Sequence, residues 1–545
     1  MDPGMEINKF PALVFASVIE YLVLTVGIYK AVRLRLVNRR FNSEILFAIC
    51  IKQVIDIDDP ATPWVSSMID PSIKARIFLH RSRSGKGKQD SYVTTITSVN
   101  KAIDLLTQQT EEGRNEQHQI IAEAICAMHP YGIKIWHRTI NINTHIEAQN
   151  ILSGAIVLGN LPLVKSLLEA PNASAQVNFE TPYFGRPLQL AAVWGHLHIV
   201  RYLIDRGANP RAISYDSEDN DGRNWDARNW DAHMPAFALP VVALRAAALG
   251  GHEDIVNLLL EPEHRLSTTS KEEYFRAIMA AARGGHLNIC QLLIALTGKT
   301  LRYFPRLRDE IFGEAIVHGR EEVAQMALDS GIDINAKLWR GGGEDVSALY
   351  IAASRGDIRM VRFLLDRRAS IGPYMTLTLN PIESATYSGH QEVLEILLER
   401  RAYDGGLLEV AIKGGQARLV KWLLGKYPSE ITGSNQYPLG NGLNPVGTSM
   451  LLSAITVRNP DIITLLVNAG LSLKEICDAE FVIHTAGLLP SRWIVDFLVS
   501  LGVIDLDPKD YESYQWTPEE DELLYSEEIG RVKVSRRTWQ WVGKH

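Results

Sequence analysis

Apolar residues along most of this chain fall into short clusters at helical spacing, separated by Gly-containing turns. In Arg186–Pro210, RPLQLAAVWGHLHIVRYLIDRGANP, the pattern predicts a short helix through Ala191 and Ala192, then a Gly-His turn. A second helix carries Ile199, Val200, Leu203 and Ile204, and Gly207-Ala208-Asn209-Pro210 closes the unit. The same order returns at 246–262, 279–296, 350–370 and 384–402, and in weaker form at 153–171, 313–336, 409–428 and 451–470. The inter-helix glycines Gly251, Gly285, Gly319, Gly356 and Gly389 follow one another at 34, 34, 37 and 33 residues.

A period near 33 residues with two short helices and a turn resembles the ankyrin repeat, over about 148–506. No unit has the full Thr-Pro-Leu-His opening. Gly389 and Gly415 are only 26 apart, so one unit has lost its finger, and the array is expected to bend or break near 403–450. The resemblance implies an all-α solenoid of about nine or ten units, some degenerate. Each unit buries its apolar stripe only against its neighbours, leaving a long concave face rather than an enclosed pocket. It further implies a binding scaffold and not an enzyme, with no cofactor.

The opening stretch Phe10–Phe41, FPALVFASVIEYLVLTVGIYKAVRLRLVNRRF, allows three readings. Pro11–Tyr29 is nearly long enough to span a bilayer, but Glu20 at its centre is costly in hydrocarbon. A plain helical cap is the second. The third rests on Phe10-Pro11, Ile19-Glu20-Tyr21-Leu22 and Leu36-Val37-Asn38-Arg39-Arg40-Phe41, which resemble the F-box. That resemblance implies docking to the Skp adaptor of a cullin-type ubiquitin ligase, with Pro11, Leu13, Ile19 and Leu22 as adaptor-binding residues. The linker Val23–Tyr29 is longer and more apolar than the family pattern.

The expected organisation is an F-box-like module at 1–50 and a helical linker and cap at 51–147, with a mobile basic loop at 81–92. The array at 148–506 and a tail at 507–545 follow. Val99–Leu106 and Gln117–Met128 are expected to be helices that cover the open end of the array. In function the chain is expected to be a substrate-recruiting adaptor of a ubiquitin ligase, or alternatively a scaffold with no ligase link whose N-terminal helices act only as a cap.

Composition narrows the partners. A net charge of -7 excludes a general nucleic-acid binder. Four dispersed cysteines with no CxxC pair suit a reducing compartment, cytoplasmic or nuclear, and give no structural zinc signature. Leu296–Thr300, LTGKT, ends like a phosphate-binding loop but has Leu293 where the loop needs glycine. The acidic run Asp216–Gly222 would need a carboxylate at 228 to bind calcium, and residue 228 is Arg. Trp516–Leu524 resembles the opening of a Myb-type repeat, yet a capping box of Thr517, Pro518 and Glu520 explains the same string. The turn histidines His196, His252, His286 and His390 recur with the repeat and are expected to satisfy backbone groups between helices.

Two features bear on a protein client. The insertion 211–238 repeats Asn-Trp-Asp-Ala around Trp225 and Trp230, either as interface anchors or as indoles packed on neighbouring fingers. The positions just before the turn glycines place Trp194, Arg283, His318, Arg355, Tyr387 and Lys413 toward the concave side. They form a basic, aromatic client face, or simply reflect the preference of cations for helix C-termini.

Overall fold

The computed structural model describes residues 12–35, 38–55, 57, 69–85, 90–107, 109–128, 144–212, 242–266, 271–340, 344–372, 380–401, 406–427, 445–457, 459–470 and 499–501. The chain divides into two compact units, one of Met1–Ile332 with Trp339–Gly343 and one of Asp333–Leu338 with Glu344–His545.

The first unit opens with α1 (Ala12–Leu34), α2 (Arg39–Leu46) and a π-helical turn (Phe47–Lys52). Asn38 caps α2 by accepting from the Phe41 amide at 2.9 Å. α1 is continuous through the stretch that the sequence suggested was a linker, because Val23, Ile28 and Ala31 carry its buried face onward from Phe15 and Ile19. Phe15 meets Phe41 edge-on at 5.4 Å and lies under the Arg40 guanidinium at 4.1 Å. Glu20 pairs with Lys52. A helix of this length could cross hydrocarbon, but α1 spends one face on protein. Among the described residues no helix is both long and apolar enough to cross a membrane.

Three longer helices follow: α3 (Pro71–Ser84), α4 (Ser91–Thr107) and α5 (Glu111–Met128). Asp70 caps α3 ahead of Pro71, and Gly85 ends it with φ 70°. Arg81–Ser84 therefore form the last helical turn, where a loop was expected, while 86–89 lie outside the described residues. Phe78 of α3 stacks on Tyr92 of α4 at 5.3 Å. α4 packs against the helix Thr144–Val157 that follows.

Helix pairs then recur. In the first unit they are α6 (Thr144–Val157) with α7 (Leu161–Glu169), α8 (Pro187–Val193) with α9 (Leu197–Asp205), and α10 (Ala243–Gly250) with α11 (Glu253–Leu259). α12 (Lys271–Gly284) with α13 (Leu287–Ala295) and α14 (Pro305–Val317) with α15 (Glu321–Asp329) complete it. Helices of seven to ten residues, as most of these are, would be marginal alone in water, so packing holds them. Buried alanines in the first helices (Ala191, Ala192, Ala246–Ala248, Ala280–Ala282) let those helices approach closely. β1 (Leu338–Arg340) and β2 (Glu344–Val346) pair as a two-stranded finger, a small addition to an otherwise helical fold.

The second unit repeats the scheme with α16 (Ala348–Arg355), α17 (Ile358–Asp366), α18 (Pro381–Tyr387) and α19 (Gln391–Arg400). α20 (Leu407–Lys413), α21 (Ala417–Lys426), α22 (Pro445–Thr456) and α23 (Pro460–Asn468) follow. Only 401–406 join α19 to α20, which is the missing finger. The break expected near 403–450 is not seen in the described helices: α20 packs on α18, and α22 packs on α20. The array divides instead at the hairpin finger.

Candidate interaction surface

Eight of the turns between paired helices share a glycine in the left-handed region. Gly159, Gly195, Gly251, Gly285 and Gly319 in the first unit, and Gly356, Gly389 and Gly415 in the second, have φ between 66° and 87°. At six of these turns the residue after the glycine sends a donor back to the preceding repeat, whereas Asn160 and Asp357 accept from Leu163 and Met360 and cap their own helices. His196 Nε2 lies 3.1 Å from the Val157 carbonyl, His252 3.0 Å from that of Val193, and His286 3.1 Å from that of Leu249. In the second unit His390 reaches the Ser354 carbonyl at 3.1 Å. The recurring histidines are structural, as their repetition implied: each satisfies a carbonyl at a helix end.

The candidate client residues lie at these same ends, and the structure separates them. Trp194, the C-cap of α8, is half-buried. Arg355 is exposed at the end of α16, and Tyr387 is 38% exposed at the end of α18. Lys413 is exposed and pairs with Glu409 at 2.8 Å. Arg283 departs from the expected open charge. It is buried and forms two hydrogen bonds to Glu314, at 2.9 and 3.2 Å, while His318 approaches the same carboxylate at 3.5 Å.

That pair belongs to a charged network threaded through three first helices. Arg276 donates to Glu273 at 2.7 Å, and buried Arg245 sits in the field of Glu273 and Glu314. Burial lowers the Arg245 pKa to about 10, which leaves it charged at neutral pH. Burial alone would raise Glu314; hydrogen bonds from His318 and Arg283, with their charge, outweigh it and bring the carboxyl down to about 2. Arginines inside the alanine-rich runs LRAAALG and AAARGG were the available signal for this network.

The N-terminal candidates also divide. Leu13 is 83% exposed, Leu22 is half-buried, and Ile19 is in the core at 1%. Pro11, Trp225 and Trp230 lie outside the described residues. So do the acidic run at 216–222 and the Trp516 segment. The Leu296–Thr300 stretch is a helix end, with Gly298 at φ 66°. Burial pushes the thiols of Cys50, Cys126 and Cys290 up, to about 11, 12 and 12, so none of these three is an activated nucleophile.

Family models agree with this geometry over part of the chain. Family models for ankyrin repeats match residues 186–215 (a single repeat), 244–338 (three copies) and 314–365 (many copies). Alpha-latrocrustotoxin-Lt1a of Latrodectus tredecimguttatus is 23% identical over 203 residues, 36% of this chain; the match spans 13% of the toxin's length. Among solved structures, the human ASB11 ankyrin repeat domain is 18% identical, with a TM-score of 0.31, and the match covers 47% of this chain and 99% of that one. Paired helices, glycine turns and family models together identify residues 186–215 and 244–365 as ankyrin repeats, so the chain has the all-α repeat architecture of a protein–protein interaction scaffold.

Proposed function

We propose that the chain is a substrate-recruiting adaptor, in which α1 docks on a Skp-type adaptor of a cullin ubiquitin ligase and the repeat helices hold a protein client. The observation that carries the ligase part is a stripe of exposed apolar residues along α1: Leu13, Val14, Val18, Tyr21 and Leu24, from 46% to 83% exposed. Val14, Val18, Tyr21 and Leu24 follow one another at four, three and three residues, and Leu13 lies at the edge of the same helix face. A partner covering them would recover about 25 cal/mol per Å² of apolar surface removed from water. The F-box resemblance of Phe10–Phe41 supports the same reading, although a 23-residue first helix is longer than that module implies.

The test is co-purification of the full chain with a Skp-type adaptor, compared with Leu13→Glu/Tyr21→Glu. Both residues are exposed, so the variant should fold. Retention by the wild type and loss by the variant is the expected result. No retention of the wild type overturns the ligase link and leaves a scaffold whose α1 is only a cap, a role favoured by its buried Phe15, Ile19 and Val23.

A further inference from the structure

A second surface lies in the first unit, where the π-helical turn, α3 and α5 enclose a groove of about 400 Å³. Its floor is apolar, from Phe47, Ile51 and Leu79, and Arg76, His80 and Arg83 stand beside it. Among the described residues no carboxylate lines it. The chain is net acidic, so a groove edged by two guanidiniums and an imidazole without an acid runs against its average.

The backbone here is unusual. The turn Phe47–Lys52 is π-helical and ends at Gln53, a non-glycine residue with φ 53°. Arg81 Nε holds that residue by donating to Gln53 Oε1 at 2.9 Å. Such turns and held left-handed residues concentrate at functional sites. Within this turn Phe47 and Ile51 are 43% and 39% exposed beside the groove. Cys50 also lines it, but its thiol is pushed up to about 11 by burial, so it serves as wall rather than as a reactive group.

We propose that this groove binds an acidic amphipathic helix of a partner protein. The spacing selects that occupant. Arg76, His80 and Arg83 are at i, i+4 and i+7 on α3, so they form a row about 10 Å long on one face. A ligand with one acidic head would meet one of them. A helix with carboxylates at successive turns meets the row, and its neighbouring apolar side chains meet Phe47, Ile51 and Leu79. This inference does not rest on α1 engaging a ligase adaptor.

The experiment pans a displayed library of helical peptides on the full chain and on Arg76→Glu/Arg83→Glu, with circular dichroism to confirm equal folding. The wild type should enrich peptides with Asp or Glu at i and i+4 beside an apolar face, and the reversed variant should lose them. Arg76→Lys/Arg83→Lys should keep them. Anisotropy of the best wild-type peptide should then show binding weakened about tenfold by Phe47→Ser/Ile51→Ser and abolished by scrambling the peptide. Equal acid content in peptides selected by wild type and reversed variant overturns the proposal. So does indifference to the Phe47/Ile51 pair, or binding of dodecanoate in the groove with no acidic helix selected. Panning on Leu13→Glu/Tyr21→Glu separates the two surfaces, because that chain should select the same peptides.

Discussion

The imidazole of His252 lies against Gly195, with Nε2 3.0 Å from the carbonyl of Val193 one repeat earlier. The requirement is for a donor rather than for histidine. Arg320 Nε reaches the Arg283 carbonyl at 3.1 Å, and Gln416 Nε2 reaches that of Tyr387 at 3.0 Å. His252→Ala should therefore leave a helix-end carbonyl without this partner and cost about 1–3 kcal/mol. His252→Gln should cost clearly less. Urea unfolding followed by circular dichroism checks this, and equal losses from the two variants would contradict it.

Gly195→Ala should be worse than either. With φ at 78°, an added Cβ is strained by about 1–2 kcal/mol and would also overlap the His252 ring. The His252→Ala/Gly195→Ala double variant removes the ring that the methyl hits. It should therefore lose less than the sum of the two singles, which a double-mutant cycle measures.

Acid should weaken the first unit in two stages. Burial lowers the pKa of His196 and His286 from the ordinary 6.5, against the opposing pull of the carbonyls of Val157 and Leu249. Below pH 6.5 the unfolded chain therefore binds more protons than the folded one, and stability falls as pH falls. Glu314 adds a second loss between its ordinary 4.5 and about 2; its contribution is fully present above 4.5. Unfolding free energy followed against pH should decline below 6.5 and again below 4.5. His196→Gln/His286→Gln should flatten the first stage and Glu314→Gln the second. A flat profile between 6.5 and 4.5 would sink the histidine part.

Repeat and turn were legible in the sequence because each depends on local spacing. Gly251, Gly285 and Gly319 fix the turn by backbone conformation, and the apolar face of Ile199, Val200 and Leu203 fixes the second helix. The helix positions of the site residues were legible for the same reason. Their exposure was not. Arg283 and Arg355 occupy neighbouring places in their respective repeats, yet Arg283 is buried because Glu314, 31 residues on, supplies its partner. Ile19 and Leu13 look alike in sequence, and only the packing of α1 on α2 makes one core and the other surface. The groove beside Phe47 depends on a π-helical turn, for which FAICIK carries no spacing signal.

The Arg283–Glu314 pair should behave as a buried ion pair. Its side chains are 8% and 17% exposed, so removing one partner strands the other charge. Arg283→Met alone should cost about 3–5 kcal/mol, and Arg283→Met/Glu314→Leu should recover most of it. Additive losses in the cycle would show that the two residues act independently.

If the helix ends of either unit, each taken by itself, form a client face, its energy should centre on aromatic anchors rather than on the charges. Trp194 is half-buried and Tyr387 38% exposed, so each can be covered further by a partner, whereas Lys413 already has Glu409. Exposed charges are screened by salt and contribute little singly. Arg283 cannot report on binding, because reversing its charge breaks the ion pair with Glu314 and disturbs the fold first. The informative set is Trp194→Ala, Tyr387→Ala, Arg355→Glu and Lys413→Glu, with Glu399→Lys on α19 as an exposed control. A client found by proximity labelling and measured by calorimetry should lose about 2 kcal/mol with Trp194→Ala and under about 1 kcal/mol with either single charge reversal. Added salt should weaken the wild type and narrow the gap to Arg355→Glu, since screening removes what that reversal removes. Equal affinities across all five variants would place the client elsewhere on the chain.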